Sequence, residues 1–237
     1  MEKVASWVPR TVLFVVPPGV HLLDVAGPAQ VFHTAQELGA PYDLHFVGQD
    51  ARVASAQGMT IGDLAQIDEV TPPASKDLVI VCGAQTTADG KVGTPEAFQS
   101  EALGQWLRDS YAAGATVASV CSAALALIEA GLLHEKQCTT HWRLFEYVRS
   151  RYPSVQVQQD VLFVEDAGII TSAGVASGVD MALHLVNRDC GPQLAARVAQ
   201  AMVVYMRRSG AADQRSVYLK YREHLHLGVH VAQDFFD

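Results

Sequence analysis

A short apolar run, Val117-Ala118-Ser119-Val120, stops abruptly at Cys121, and the residues after it (Ser122, Ala123, Ala124, Leu125, Ala126, Leu127) are good or tolerable helix formers. That order predicts a strand turning sharply into a helix, with a thiol at the corner. A cysteine so placed sits at the carboxyl edge of a sheet, beside the positive end of a helix, and both favour a thiolate. The same residue also reads as a small buried apolar side chain, the usual state of a free cysteine. Cys82, Cys138 and Cys190 add no paired metal spacing and no dense disulfide framework, which suits a reducing cytoplasm. Cys82 and Cys138 are read as core thiols, although oxidation with Cys121 is chemically open to either. His226 and His230 share a face at helical spacing, with His224 close by, but no cysteine or carboxylate cluster accompanies them. No metal is expected. A glycine-rich phosphate loop is also missing, so no cofactor is expected.

These residues must be held by a scaffold, and the pattern of the chain describes one. With 237 residues, 49% of them hydrophobic, the chain can bury a substantial core. Continuous apolar strands are predicted at 11–16, 42–47, 76–83 and 116–120, with an added hairpin at 52–60 and shorter strands at 155–157, 161–164 and 168–172. Helices are predicted between them: 22–38, broken or restarted near Gly27-Pro28; 98–113; one after Cys121, capped by Gly131; 142–151; 174–187; and 193–206. Strands alternating with helices mean a doubly wound α/β domain with a mostly parallel sheet, a flavodoxin-like or amidotransferase-like sandwich. In such sheets ligands bind outside the carboxyl ends of the strands, where the elbow puts Cys121. Residues 207–213 read as a polar, flexible linker, and 216–236 as a final helix. The formal charge of −8 argues against this chain gripping nucleic acid by itself. The only apolar run near the start, Val12 to Val16, is too short for a signal peptide and is closed by Pro17-Pro18. No stretch approaches a membrane-spanning length, so no membrane contact is expected.

Ser119-Val120-Cys121-Ser122-Ala123-Ala124-Leu125, followed by Glu129-Ala130-Gly131-Leu132-Leu133 and Cys138-Thr139-Thr140-His141-Trp142, resembles the ThiJ/PfpI superfamily, whose fold is class I glutamine-amidotransferase-like. Leu22-Leu23-Asp24-Val25-Ala26-Gly27-Pro28 resembles a second marker of one branch. Ile170-Thr171-Ser172-Ala173-Gly174 with Gly178-Val179-Asp180-Met181-Ala182-Leu183 resembles a third. That branch holds isocyanide hydratases and the N-terminal domains of AraC-type transcription regulators. The stretches Val203 to Arg208 and Tyr218 to His226 resemble the connector into the regulators' helix-turn-helix domain. The division implied is a ThiJ/PfpI-like domain over 1–208 and a connector-like linker and helix over 209–237. Nucleic acid is expected as a partner only through a helix-turn-helix domain, which this chain lacks. The resemblance also implies a homodimer.

By resemblance Cys121 is the nucleophile, Asp24 the acidic residue facing it and His141 a supporting or triad histidine. Asp24 also reads as a helix N-terminal charge, and His141 as an ordinary buried histidine. Trp142 is read as core. A backbone N–H from Ser122 and a second from the Gly83-Ala84 loop are expected to face a developing oxyanion, with Thr140 beside the site. Two departures weaken the enzyme reading. Ala123 stands where the family usually has glycine, and Cys82-Gly83-Ala84 replaces Pro-Gly-Gly, adding Cβ atoms where backbone often approaches ligand. Two functions therefore compete, a domain sensing a small-molecule ligand around Cys121 and Asp24 and a cysteine-dependent hydratase of isocyanide-like electrophiles, while a redox or chaperone-like stress protein is implied by superfamily analogy only.

Overall fold

The computed structural model describes residues 9–88 and 91–215. The expected terminal helix over 216–236, with His224, His226 and His230, lies outside the described residues. In chain order the elements begin with β1 (Arg10–Val15), α1 (Leu22–Glu37), β2 (Tyr42–Gly48), β3 (Val53–Ala54), β4 (Thr60–Ile61), β5 (Ala65–Gln66) and β6 (Leu78–Val81). A small pair, β7 (Thr87–Ala88) and β8 (Lys91–Val92), precedes α2 (Glu101–Ala112), β9 (Thr116–Val120) and α3 (Ala124–Glu129). Then come β10 (Gln137–Cys138), α4 (Phe145–Arg151), β11 (Gln156–Val157), β12 (Phe163–Asp166), β13 (Ile169–Ser172), α5 (Ser177–Cys190) and α6 (Pro192–Ala201).

Seven strands form one sheet in the order β12-β13-β9-β6-β1-β2-β5. Every pair is parallel except β12 with β13. Successive side chains on a strand point to opposite faces, which divides the core in two. Val12, Phe14, Leu78, Ile80, Ala118 and Val120 pack beneath α1, α5 and α6. Leu13, Val15, Val79, Val81 and Val117 pack beneath α2, α3 and α4. Burial on both faces is why these strands read as unbroken apolar runs. From β1 the chain moves through α1 to β2 on one side, and later returns to β6 on the other. The order reverses between β1 and β6, and a crevice opens there outside the strand ends.

Several boundaries differ from the sequence reading. α1 is unbroken, with Pro28 inside it. Proline lacks the N–H that would bond the Asp24 carbonyl one turn earlier. Its loss is offset by packing on α5: a Cβ on Gly178 would sit 3.2 Å from Pro28 Cγ, and one on Gly27 would sit 3.1 Å from Val179 Cγ2. Glycines let the two helices approach, which brings the start of α1 beside the start of α5. α5 begins at Ser177, not Gly174, and α6 ends at Ala201, where Met202 and Val203 turn out of the helix. β11 pairs with β10 in a separate two-stranded piece. The expected linker at 207–213 lies against the domain. The Arg208 guanidinium holds buried Asp180, and the Gly210 carbonyl accepts from Leu162 and Phe163 N–H groups. No described helix is long and apolar enough to cross a membrane.

Candidate functional site

Cys121 directly follows β9 with φ +61, a left-handed conformation sparsely populated by side-chain-bearing residues. The strained corner is the expected elbow, and it is crossed at close range. A Cβ on Gly174 (φ +86) would lie 2.1 Å from Cys121 Cβ and 2.4 Å from its Cα. One on Gly83 would lie 2.4 Å from Asp24 Oδ2 and 2.8 Å from Cys121 Cβ. Backbone at these two glycines therefore walls the thiol on two sides. Ser122 Oγ donates to the Ala84 carbonyl (2.7 Å) and accepts from the Ala84 N–H (2.9 Å), tying the loop after β6 to the elbow. That amide is occupied, so Ala84 offers no N–H to an oxyanion. Thr140 Oγ1 donates to the Cys121 carbonyl at 2.8 Å, so it holds the corner from behind and does not face the cavity.

Asp24, in the first turn of α1, is completely buried. Its Oδ1 accepts from the Val175 N–H at 3.0 Å. Oδ2 has no partner at hydrogen-bond geometry, although the Cys121 thiol is close enough to bias its titration. Burial pushes the Asp24 carboxyl up to about 7, against the pull of the Val175 N–H and the thiol. Burial, followed by the Asp24 charge, pushes the Cys121 thiol far above its ordinary value, while the Ser122 and Val175 N–H groups pull the other way. Burial and the neighbouring acid thus work against the expected thiolate. The helix after the corner contributes little: a 3-10 turn intervenes, and α3 has only six residues.

In front of the sulfur lies a cavity of about 340 Å3, lined among others by His21, Leu23, Gln57, Cys121, His141 and Arg143. Arg143 is the one formally charged side chain among the described lining residues. Burial lowers the pKa of both His21 and His141, and Arg143 and His21 depress His141 further. His141 is half-buried at the cavity wall, and its Nδ1 accepts from the Arg143 N–H at 3.3 Å. Trp142, expected in the core, is 42% exposed, with the guanidinium groups of Arg143 and Arg215 over its ring at 5.1 and 5.9 Å. A second cavity of about 220 Å3 lies between residues 173–177 and the irregular stretch that carries Arg208 and Gln214, with His141 and Trp142 on its wall.

The structure thus gathers Cys121, Asp24, Gly83, Ala84, Ser122 and His141 at one place, with Thr140 behind it. Sequence reading missed His21, Arg143 and above all Val175, whose amide bridges Asp24 and the thiol from a backbone at φ +40. The Ala173-Gly174 pair before α5 was the available signal, since a glycine there marks backbone that a Cβ would obstruct. All four cysteines are free, and no described cluster of His, Cys, Asp and Glu is placed to hold a metal.

A mostly parallel α/β sandwich with a left-handed cysteine at the end of a central strand, faced by a buried acid, defines a cysteine-elbow protein. The DJ-1/PfpI family pattern matches residues 10–188, and the chain belongs to that family. It is 29% identical over 195 residues to the HTH-type transcriptional regulator CdhR of Pseudomonas aeruginosa, an alignment covering 81% of this chain and 54% of the regulator. It is 27% identical over 179 residues to the isonitrile hydratase of Pseudomonas putida, covering 75% of this chain and 71% of that enzyme. The crystal structure of an AraC family transcriptional regulator from Pseudomonas putida superimposes with a TM-score of 0.65 at 22% identity, covering 82% of this chain and all of that one. The chain spans about half the length of the regulator CdhR that it matches.

Proposed function

We propose that this chain is the small-molecule-sensing domain of an AraC-type transcription regulator, with its ligand in the cavity before Cys121 and Asp24. One observation carries the reading: the Cys121 thiol faces a cavity of about 340 Å3 but is itself buried beside the buried Asp24 carboxyl, and both push its pKa up. A site built this way holds a molecule more readily than it attacks one. The similarity to the regulator CdhR supports the same reading. On it, the domain works as a homodimer in the cytoplasm, where Cys82, Cys121, Cys138 and Cys190 stay reduced.

A second reading has its own support in Asp24, which titrates near neutrality beside the sulfur, and in the hydratase relative. There the Asp24 carboxylate takes the thiol proton as the Cys121 sulfur adds to the isocyanide carbon and passes it to that carbon, giving a thioimidate; water then displaces the sulfur, which regains a proton, to leave an N-substituted formamide. A thermal-shift screen of small carboxylates, amines, amides and sugars separates the two. Sensing requires a saturable rise in melting temperature in the wild type that is lost in Leu23→Trp, which fills the cavity. No shift, together with conversion of cyclohexyl isocyanide that Cys121→Ala abolishes, would replace it with the hydratase.

A further inference from the structure

The last described stretch of the chain, residues 207–215, is tied to the cysteine corner from both sides. On one side, Gln214 Nε2 lies 3.0 Å from the Thr140 carbonyl, 3.0 Å from the Val161 carbonyl and 3.2 Å from Thr139 Oγ1. Thr140 in turn donates its hydroxyl to the Cys121 carbonyl. A single amide group is thus two hydrogen bonds from the strained residue. On the other side, the Gly210 carbonyl accepts the Leu162 N–H at 2.7 Å, and the Leu162 carbonyl accepts the Ala173 N–H at 2.8 Å. Ala173 leads directly into Gly174 and Val175, the backbone that roofs the thiol and bonds Asp24. A third anchor is Arg208, whose N–H and guanidinium both reach Asp180 on α5, just past the same roof.

The segment is closely seated as well as bonded. A Cβ on Gly210 would lie 2.7 Å from the Phe163 carbonyl oxygen and 2.9 Å from its ring. Between this segment and the roof lies the cavity of about 220 Å3, so the roof has space on that side into which to shift.

We infer that residues 207–215 form a strap that senses the state of the cysteine corner, with Gln214 as its positioning residue. A molecule seated before Cys121 meets Val175 and Ser122, which also line that cavity. Displacing the roof or the corner alters the acceptors that hold Gln214 and the N–H donors that hold the Gly210 carbonyl, and the strap loosens. Onward from Arg215 the chain runs toward the segment that resembles a connector. The strap's role as a transmitter rests on the sensing reading above; its link to Cys121 does not. Because coupling between two sites is reciprocal, releasing the strap must also change access to the thiol.

The test uses the full chain carrying Cys190→Ser, which removes the half-buried competing thiol. The probe is methyl methanethiosulfonate, which adds only a methylthio group to sulfur. Complete labelling of Cys121, verified by mass spectrometry, is expected to speed hydrogen exchange in a peptide covering 207–215 at least fivefold. Conversely, Gln214→Glu sets a carboxylate against two carbonyl oxygens and is expected to speed Cys121 labelling at least fivefold, with Gln214→Ala as the milder variant should the first not fold. Arg149→Ala, on the exposed pair with Glu146, serves as control and should change neither. A change below fivefold in strap exchange, or in labelling for the folded Gln214 variant, overturns the proposal. Because no ligand is needed, a failed ligand screen alongside intact coupling would retire the sensing reading alone.

Discussion

At the scale of single residues, the site is governed by what a buried carboxyl does to a thiol. Burial first, and the Asp24 charge after it, raise the pKa of Cys121, so removing that charge should make the thiol more reactive. Asp24→Asn is expected to shift the rate–pH profile of Cys121 alkylation to lower pH; an unmoved profile would refute the electrostatic assignment. The same carboxyl makes stability depend on pH. Its folded value, about 7, lies above its ordinary 3.8, so the native state binds the proton more tightly than the unfolded chain does. That contribution is complete below about pH 4 and is lost as pH rises through 7, a swing of about 4 kcal/mol for this one group. Urea titrations at pH 5 and pH 8 should show the loss in the wild type and a much flatter response in Asp24→Asn. Gly174→Ala places a methyl against Cys121 at a positive φ, and a loss of about 3 kcal/mol is expected from the same titrations.

Elements deliver those residues, and here the sequence is informative to different depths. The strands were legible because both faces of the sheet are covered, and Gly131 was legible as a helix end because its φ is +73. Pro28 misled: local propensity breaks α1, whereas close packing on Gly178 of α5 keeps it whole. That contact joins residues 150 positions apart, which no local pattern records. Cys121 and Asp24 could be paired through resemblance, but Val175 could not, since its contribution is a backbone N–H that any residue type carries. Trp142 reads as core, but it is 42% exposed, with two guanidinium groups over its ring. Thr140 sits where the chain leaves β10, and its hydroxyl satisfies a buried carbonyl. Thr140→Val should cost about 1–3 kcal/mol by thermal or urea denaturation, with Thr140→Ser recovering part of it.

For the whole molecule, topology explains why the site lies where it does. β1, β6 and β9 are adjacent, so the loops after them converge, and the reversal between β1 and β6 leaves the crevice that Gly83 and His21 border. The net charge of −8 sets a further expectation. In an electrophoretic assay at physiological salt, this chain should leave a DNA duplex unretarded, because it lacks the excess of basic side chains that displaces counterions from phosphate. Retardation would overturn that expectation.

The carboxyl under the cavity floor also fixes how binding will look in a calorimeter. A group poised near neutrality exchanges protons with solvent whenever a neighbouring charge changes. A negatively charged ligand will draw a proton in, and a positively charged one will expel it. The heat recorded then includes the ionisation of the buffer, so phosphate and Tris will report different enthalpies for one and the same complex. The slope of observed enthalpy against buffer ionisation enthalpy counts the protons and gives the sign of the ligand's charge. In Asp24→Asn that slope should fall by the share the carboxyl carried, leaving whatever His21 and His141 contribute.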